Sequence, residues 1–146
     1  MTPFDERFPH RLESALAAPF VESFGFDPYP TLADKCAVML YHVAKAHAFE
    51  NGNKRMALTC TNALAYLNGY EWAASSDQAA TIVETIAASK GSSAKDTIVQ
   101  ALREAHFPRY LVRIVRPQRP IIVQAARRHP ARAGRVQIRK PLPPDA

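Results

Sequence analysis

Apolar residues recur along this chain to residue 105 at the three-and-four spacing of helices, separated by polar, Gly- and Pro-rich stretches. Residues 11–18 read as a short helix ending at Pro19, and Phe24–Pro30 as a loop by its Gly, Asp and Pro content. Thr31 is placed to cap the next helix, with Asp34 as the reciprocal acid of a capping box. Leu32, Cys36, Met39, Leu40 and Val43 then keep helical spacing to about His47. A loop over 48–52 leads into a helix starting at Asn53. There Met56, Cys60, Ala63 and Leu67 share one face, and Leu58 and Ala65 lie on another. Apolar on several sides, this helix is expected to be central and buried, with Asn68-Gly69 as its C-terminal cap. Tyr70–Ala73 reads as a short extended link. Asp77 is expected to cap a helix through about Ala88 that ends near Gly91. A last helix, from about Ala94 to Ala105, turns Ile98, Val99 and Leu102 inward. Short connections make successive helices antiparallel neighbours, so the expected fold is all-α: a compact bundle of about six helices with no core strand.

The pattern changes at Phe107. Seven of the twelve prolines fall in 106–146, which argues against regular helices there. Tyr110–Val115 and Ile121–Val123 are β-like runs broken by Pro and Arg. The net charge of +6 is an average over two unlike parts. Residues 1–105 hold 9 Lys/Arg against 12 Asp/Glu, net −3, and residues 106–146 hold 10 Lys/Arg against one acid, net +9. The expected division is a helical domain over 1–106 and a basic, Pro/Arg-rich extension over 107–146, flexible or peripheral. That extension lacks interleaved aromatics beyond Phe107 and Tyr110 and carries no module signature. Nucleic acid is therefore expected to bind it only non-specifically.

Composition narrows the class further. With 47% hydrophobic and 22% charged residues in 146, the chain can bury a single core. No apolar run reaches the ~18–20 residues of a membrane span. Met1–Arg7 carries two acids and no apolar stretch, unlike a secretory leader. Cys36 and Cys60, both inside apolar helical runs, predict buried free thiols in a reducing cytoplasm, and no Cys/His spacing resembles a zinc site.

The candidate chemistry lies in His47-Ala48-Phe49-Glu50-Asn51-Gly52-Asn53-Lys54-Arg55. A helix N-terminus presents free backbone N–H groups and partial positive charge, and so attracts anions. Cations in the first turn are disfavoured by roughly 0.3–1 kcal/mol each, so Lys54 and Arg55 point to an anionic ligand that offsets the cost. Gly52 allows a tight turn and close approach of backbone to phosphate. With Asn53 it leads into an anion nest. Arg55 can fork onto phosphate oxygens, while Lys54 acts as a point charge. The imidazole of His47 can take a proton from a hydroxyl near neutral pH. Phe49 reads as an anchor rather than a reactant. His10, His42, His106 and His129 lack such neighbours.

These residues resemble the active-site loop of the Fic/Doc superfamily, His-x-Phe-x-(acid)-Gly/Ala-Asn-Lys-Arg, with six of seven specified positions matched. Lys54, where the Fic branch usually has Gly, resembles the Doc (death-on-curing) toxin branch. Arg11–Pro19 and Ala65–Tyr70 are similar to its flanking text, so the likeness covers about residues 10–105. It departs at Asn51, where the family carries an acid; Glu50 lies one place earlier. The resemblance implies a Fic fold with His47 as general base and Gly52, Asn53, Lys54 and Arg55 holding ATP phosphates. It implies Mg²⁺ at Asn51, with Glu50 as the alternative ligand. It also implies a toxin kinase that moves the γ-phosphate of ATP to a Thr or Ser of a translation factor, elongation factor Tu, and so arrests translation. The family's inhibitory pattern, Ser/Thr-x-x-x-Glu-Gly/Asn, finds only Thr2 and Glu6, followed by Arg7. Control by a separate Phd-like antitoxin is implied instead. The rival readings are a Fic-type nucleotidyltransferase moving AMP or UMP, and a degenerate Doc-fold binding protein.

Overall fold

The computed structural model of the protein describes residues 8–114. They are mostly helical. Pro9 opens α1 (Pro9–Ala17), a position where its fixed φ suits the helix and its missing N–H is not needed. The expected stop at Pro19 is softer than read: α1 runs on into a 3₁₀ turn, Ala18–Phe20, with Pro19 buried inside it.

The next helix, α2 (Leu32–Ala46), starts with the expected capping box: Asp34 N–H donates to Thr31 Oγ1 at 3.0 Å, and Thr31 N–H donates to Asp34 Oδ2 at 3.3 Å. The other carboxylate oxygen accepts from Arg103 Nε at 2.9 Å. Burial raises the Asp34 pKa, but the hydrogen bonds from Arg103 and Thr31 outweigh it and hold the carboxyl below its ordinary value. Cys36 through Tyr41, with Val43 and Ala44, are buried on every side of α2. Neighbouring elements from α1 to the C-terminal turns pack around it.

That overturns the placing of α3 (Asn53–Leu67) at the centre. Its buried positions are Ala57, Thr61 and Ala65, one stripe at i, i+4 and i+8. Leu67 is 60% exposed, and Ala63 is exposed as well. The inward stripe is made of small residues, which lets α3 lie close against α2. The Thr61 hydroxyl is satisfied within its own helix, donating to Ala57 O at 2.8 Å.

Further differences follow beyond α3. Ser75, not Asp77, caps α4 (Ser76–Ala88): Gln78 N–H donates to Ser75 Oγ at 3.1 Å, and the Gln78 side chain accepts from Ser75 N–H at 2.9 Å. The last long helix, α5 (Gly91–Ala101), begins earlier than read and widens into a π turn, Leu102–His106. The chain then stays packed past the expected boundary at 106. Phe107 is 0% exposed at the head of a short α6 (Phe107–Tyr110), its ring 5.0 Å from that of Trp72.

The extended link at 70–73 is a strand. β1 (Tyr70–Trp72) pairs antiparallel with β2 (Leu111–Arg113) in the register Tyr70↔Arg113, Glu71↔Val112, Trp72↔Leu111. Trp72 Nε1 donates to His106 Nε2 at 3.0 Å. Burial pushes the His106 pKa down, in keeping with a ring that accepts at Nε2. The compact unit therefore reaches Arg113, and a second unit begins at Ile114. The rest of that second unit, including the run Ile121–Val123 and the expected flexible extension, lies outside the described residues.

Candidate active site

The site is built where α2 hands the chain to α3. His47 closes α2 in the left-handed region, φ 50, which turns the backbone sharply. Ala48 and Phe49 then dip into the interior, 1% and 6% exposed, and Phe8 N–H donates to Ala48 O at 3.0 Å. Phe49 is thus the anchor its setting suggested. The loop is clipped shut by Asn53: its Oδ1 accepts from Phe49 N–H at 3.2 Å, and its Nδ2 donates to Phe49 O at 3.1 Å.

Gly52, at φ 86, is the residue before α3 and adopts a conformation that side chains resist. The first intrahelical bond runs from Met56 N–H to Gly52 O at 2.8 Å, so the N–H groups of Asn53, Lys54 and Arg55 precede the helical ladder. This end of α3 lines a cleft of about 420 Å³. His47, Glu50 and Asn51 line the same cleft, together with Gly52 through Arg55, and Ala44 and Ala87 close it from α2 and α4. Every residue singled out from the motif for chemistry therefore faces one cavity. Asn53 contributes there mainly as backbone, because its side chain is committed to the loop.

Among the described histidines, His47 alone lines this cleft. His42 sits elsewhere on α2, its pKa pushed down by burial and by Lys95, and His10 is on α1. His129 lies outside the described residues. Cys36 is buried with its thiol pushed up to about 12, too high for a nucleophile, and Cys60 is half-buried. No group of three or more His, Cys, Asp or Glu side chains among the described residues could hold a metal ion. One carboxylate, Glu50, and the amide of Asn51 share the cleft with Asn53, whose side chain is bonded to the loop. Mg²⁺ commonly takes one or two carboxylates and completes its shell with water and phosphate oxygens, so this sparse donor set fits it when phosphate is present.

Sequence reasoning missed Glu84. It lies on α4, and its Oε2 is 2.9 Å from Lys54 Nζ, with side chains 66% and 46% exposed. No local signal links positions so far apart. Arg103, which bonds Asp34, was missed for the same reason.

Residues 4–65 match the Fic/DOC family, a stretch that holds the whole loop and nearly all of α3. Over this segment the chain is similar to Fic/DOC-family proteins, and the mostly helical architecture agrees with a Fic fold. Over 66 residues the chain is 39% identical to Toxin Doc of Mycolicibacterium smegmatis, covering 45% of this chain and 51% of the relative. The chain thus spans about half the length of the curated relative it matches. No solved structure matches it significantly. No helix among the described residues is long and apolar enough to cross a membrane.

Proposed function

We propose that this protein is a Doc-type toxin kinase, working in the cytoplasm, that transfers the γ-phosphate of ATP to a Thr or Ser hydroxyl of a translation factor. The observation that carries the reading is the single cleft in which His47 faces the cationic start of α3. Its volume of about 420 Å³ is in the range of small-molecule sites. His47 takes the proton of the target hydroxyl. The oxygen attacks the γ-phosphorus, and the bond to the β,γ-bridging oxygen breaks, leaving ADP. Arg55, Lys54 and the N–H groups at the head of α3 bind the phosphate oxygens and balance their charge. Asn51, or Glu50 in its place, would hold Mg²⁺, which when bound neutralises charge on those oxygens. The relative's printed name, Toxin Doc, supports a toxin; a Phd-like antitoxin that holds it in check rests on the family resemblance. Elongation factor Tu as the target rests on the family resemblance.

Labelled ATP tests the reaction. Incubated with a cell lysate, the protein is expected to move the γ-label onto a target protein and leave the α-label in solution. An α-label on the target makes it a nucleotidyltransferase instead.

A second reading, a degenerate Doc-fold binding protein, is favoured by Asn51 in place of the family's acid and would move neither label. Asn51→Asp separates the two. Restoring the carboxylate is expected to lower the Mg²⁺ concentration needed for half-maximal transfer by about tenfold, the order of one added charge-assisted contact. If Asn51→Asp needs as much Mg²⁺ as the parent while Glu50→Gln loses the Mg²⁺ response, Glu50 is the ligand.

A further inference from the structure

Lys54 is the second residue of α3, in the first turn, where a helix disfavours positive side chains. In the structure its charge is already answered. Nζ meets Glu84 Oε2 at 2.9 Å, a contact reaching from the lip of the cleft to α4. Glu84 stands one turn before Ala87, the residue through which α4 walls the cleft. The lysine expected to grip phosphate is therefore engaged at rest by a carboxylate outside the cleft lining.

We infer that Glu84 is a resident competitor for Lys54, a selectivity residue that a phosphate group must displace before the lysine can bind it. The inference rests on the phosphate reading of the cleft and adds a regulator to it. Both partners are about half exposed or more, at 46% and 66%, so water screens the pair and the lysine can leave without a large barrier. A buried pair would lock Lys54 in place. A dense polyphosphate offers several anionic oxygens and wins the exchange, whereas a single weakly charged phosphate does not. Glu84 thus biases the cleft toward di- and triphosphates over monophosphates. It also keeps Lys54 from bearing the dipole penalty unaided when the cleft is empty.

ATP and AMP binding is measured by calorimetry on the full chain, for the parent, Glu84→Gln, Lys54→Met and the double variant, at low and high salt. Thermal unfolding confirms that each is folded. At low salt, Glu84→Gln is expected to tighten AMP binding by about two- to fivefold and ATP binding by less, the scale of one exposed ion pair. Both gains are expected to vanish in the Lys54→Met background and to fade at high salt. An unchanged or weaker affinity in Glu84→Gln overturns the inference. So does an equal gain with Lys54 absent, because Glu84 would then act only as a distant negative charge. A parent that binds ATP while Glu84→Gln gains nothing removes this inference alone. A parent that binds neither nucleotide removes the phosphate reading of the cleft, and the inference with it.

Discussion

Replacing His47 is expected to slow phosphoryl transfer by about 10²–10⁴-fold, the usual contribution of a positioned general base. Two substitutions separate chemistry from backbone. His47 sits at φ 50, where Asn is tolerated better than Ala. His47→Asn is therefore expected to lose transfer with little change in melting temperature. His47→Ala is expected to lose transfer and also to destabilise the loop by about 1 kcal/mol. Transfer of γ-label and thermal unfolding, run on both variants, give the two answers independently. Label transfer by His47→Asn at the parental rate would end the general-base role, whatever happens to stability. The same variant expressed in cells should relieve growth arrest if the protein acts as a toxin.

Phe107→Ala is expected to cost about 3–5 kcal/mol, as for other fully buried aromatics. In a domain of this size that lowers the melting temperature by more than about 10 °C. Phe107 has no exposed surface, and its ring packs on Trp72, whose indole N–H in turn bonds His106. The substitution thus removes the joint between the C-terminal turns and β1. Truncation makes the same point from the chain end. A chain stopped at Ala105 loses Phe107 and all of β2 and should unfold, whereas one stopped after Ile114 should keep the parental transition. If Phe107→Ala melts with the parent, or the chain ending at Ala105 is equally stable, the folded unit closes at 106, where the change in proline and charge content suggested.

The features legible in advance were those whose partners lie within a few residues of one another. Thr31 and Asp34 meet because three residues separate them at a helix start. The anchoring of Phe49 was likewise readable from an aromatic set between two polar stretches. Ser75 and Gln78 carry the same reciprocal cap in plain text, and Asp77, an acid favourable in a first turn, stands one residue inside the helix rather than at its cap. On α3, spacing identifies a helix, with Met56, Cys60, Ala63 and Leu67 on one face and Leu58 and Ala65 on another. The fully buried stripe is Ala57, Thr61 and Ala65, whose smallness is what permits close approach, while Met56, Cys60 and Leu64 pack on the core only in part.

By itself, the sequence determined a helical chain with the capping box at Thr31, the contiguous segment His47–Arg55 that resembles the Fic/Doc loop, and a change of composition near residue 106. These rest on dihedral preference, side-chain periodicity and short-range hydrogen bonding, all of which act over one or two helical turns. Tertiary structure alone decided that α2 rather than α3 is the centre, and that Tyr70–Trp72 becomes a strand because Leu111–Arg113 returns to pair with it. It also decided that Asp34 is held by Arg103 and Lys54 by Glu84. Each of these joins segments remote along the chain. Their energy exists only once the intervening chain has closed the loop, and no local pattern records which remote residue will arrive.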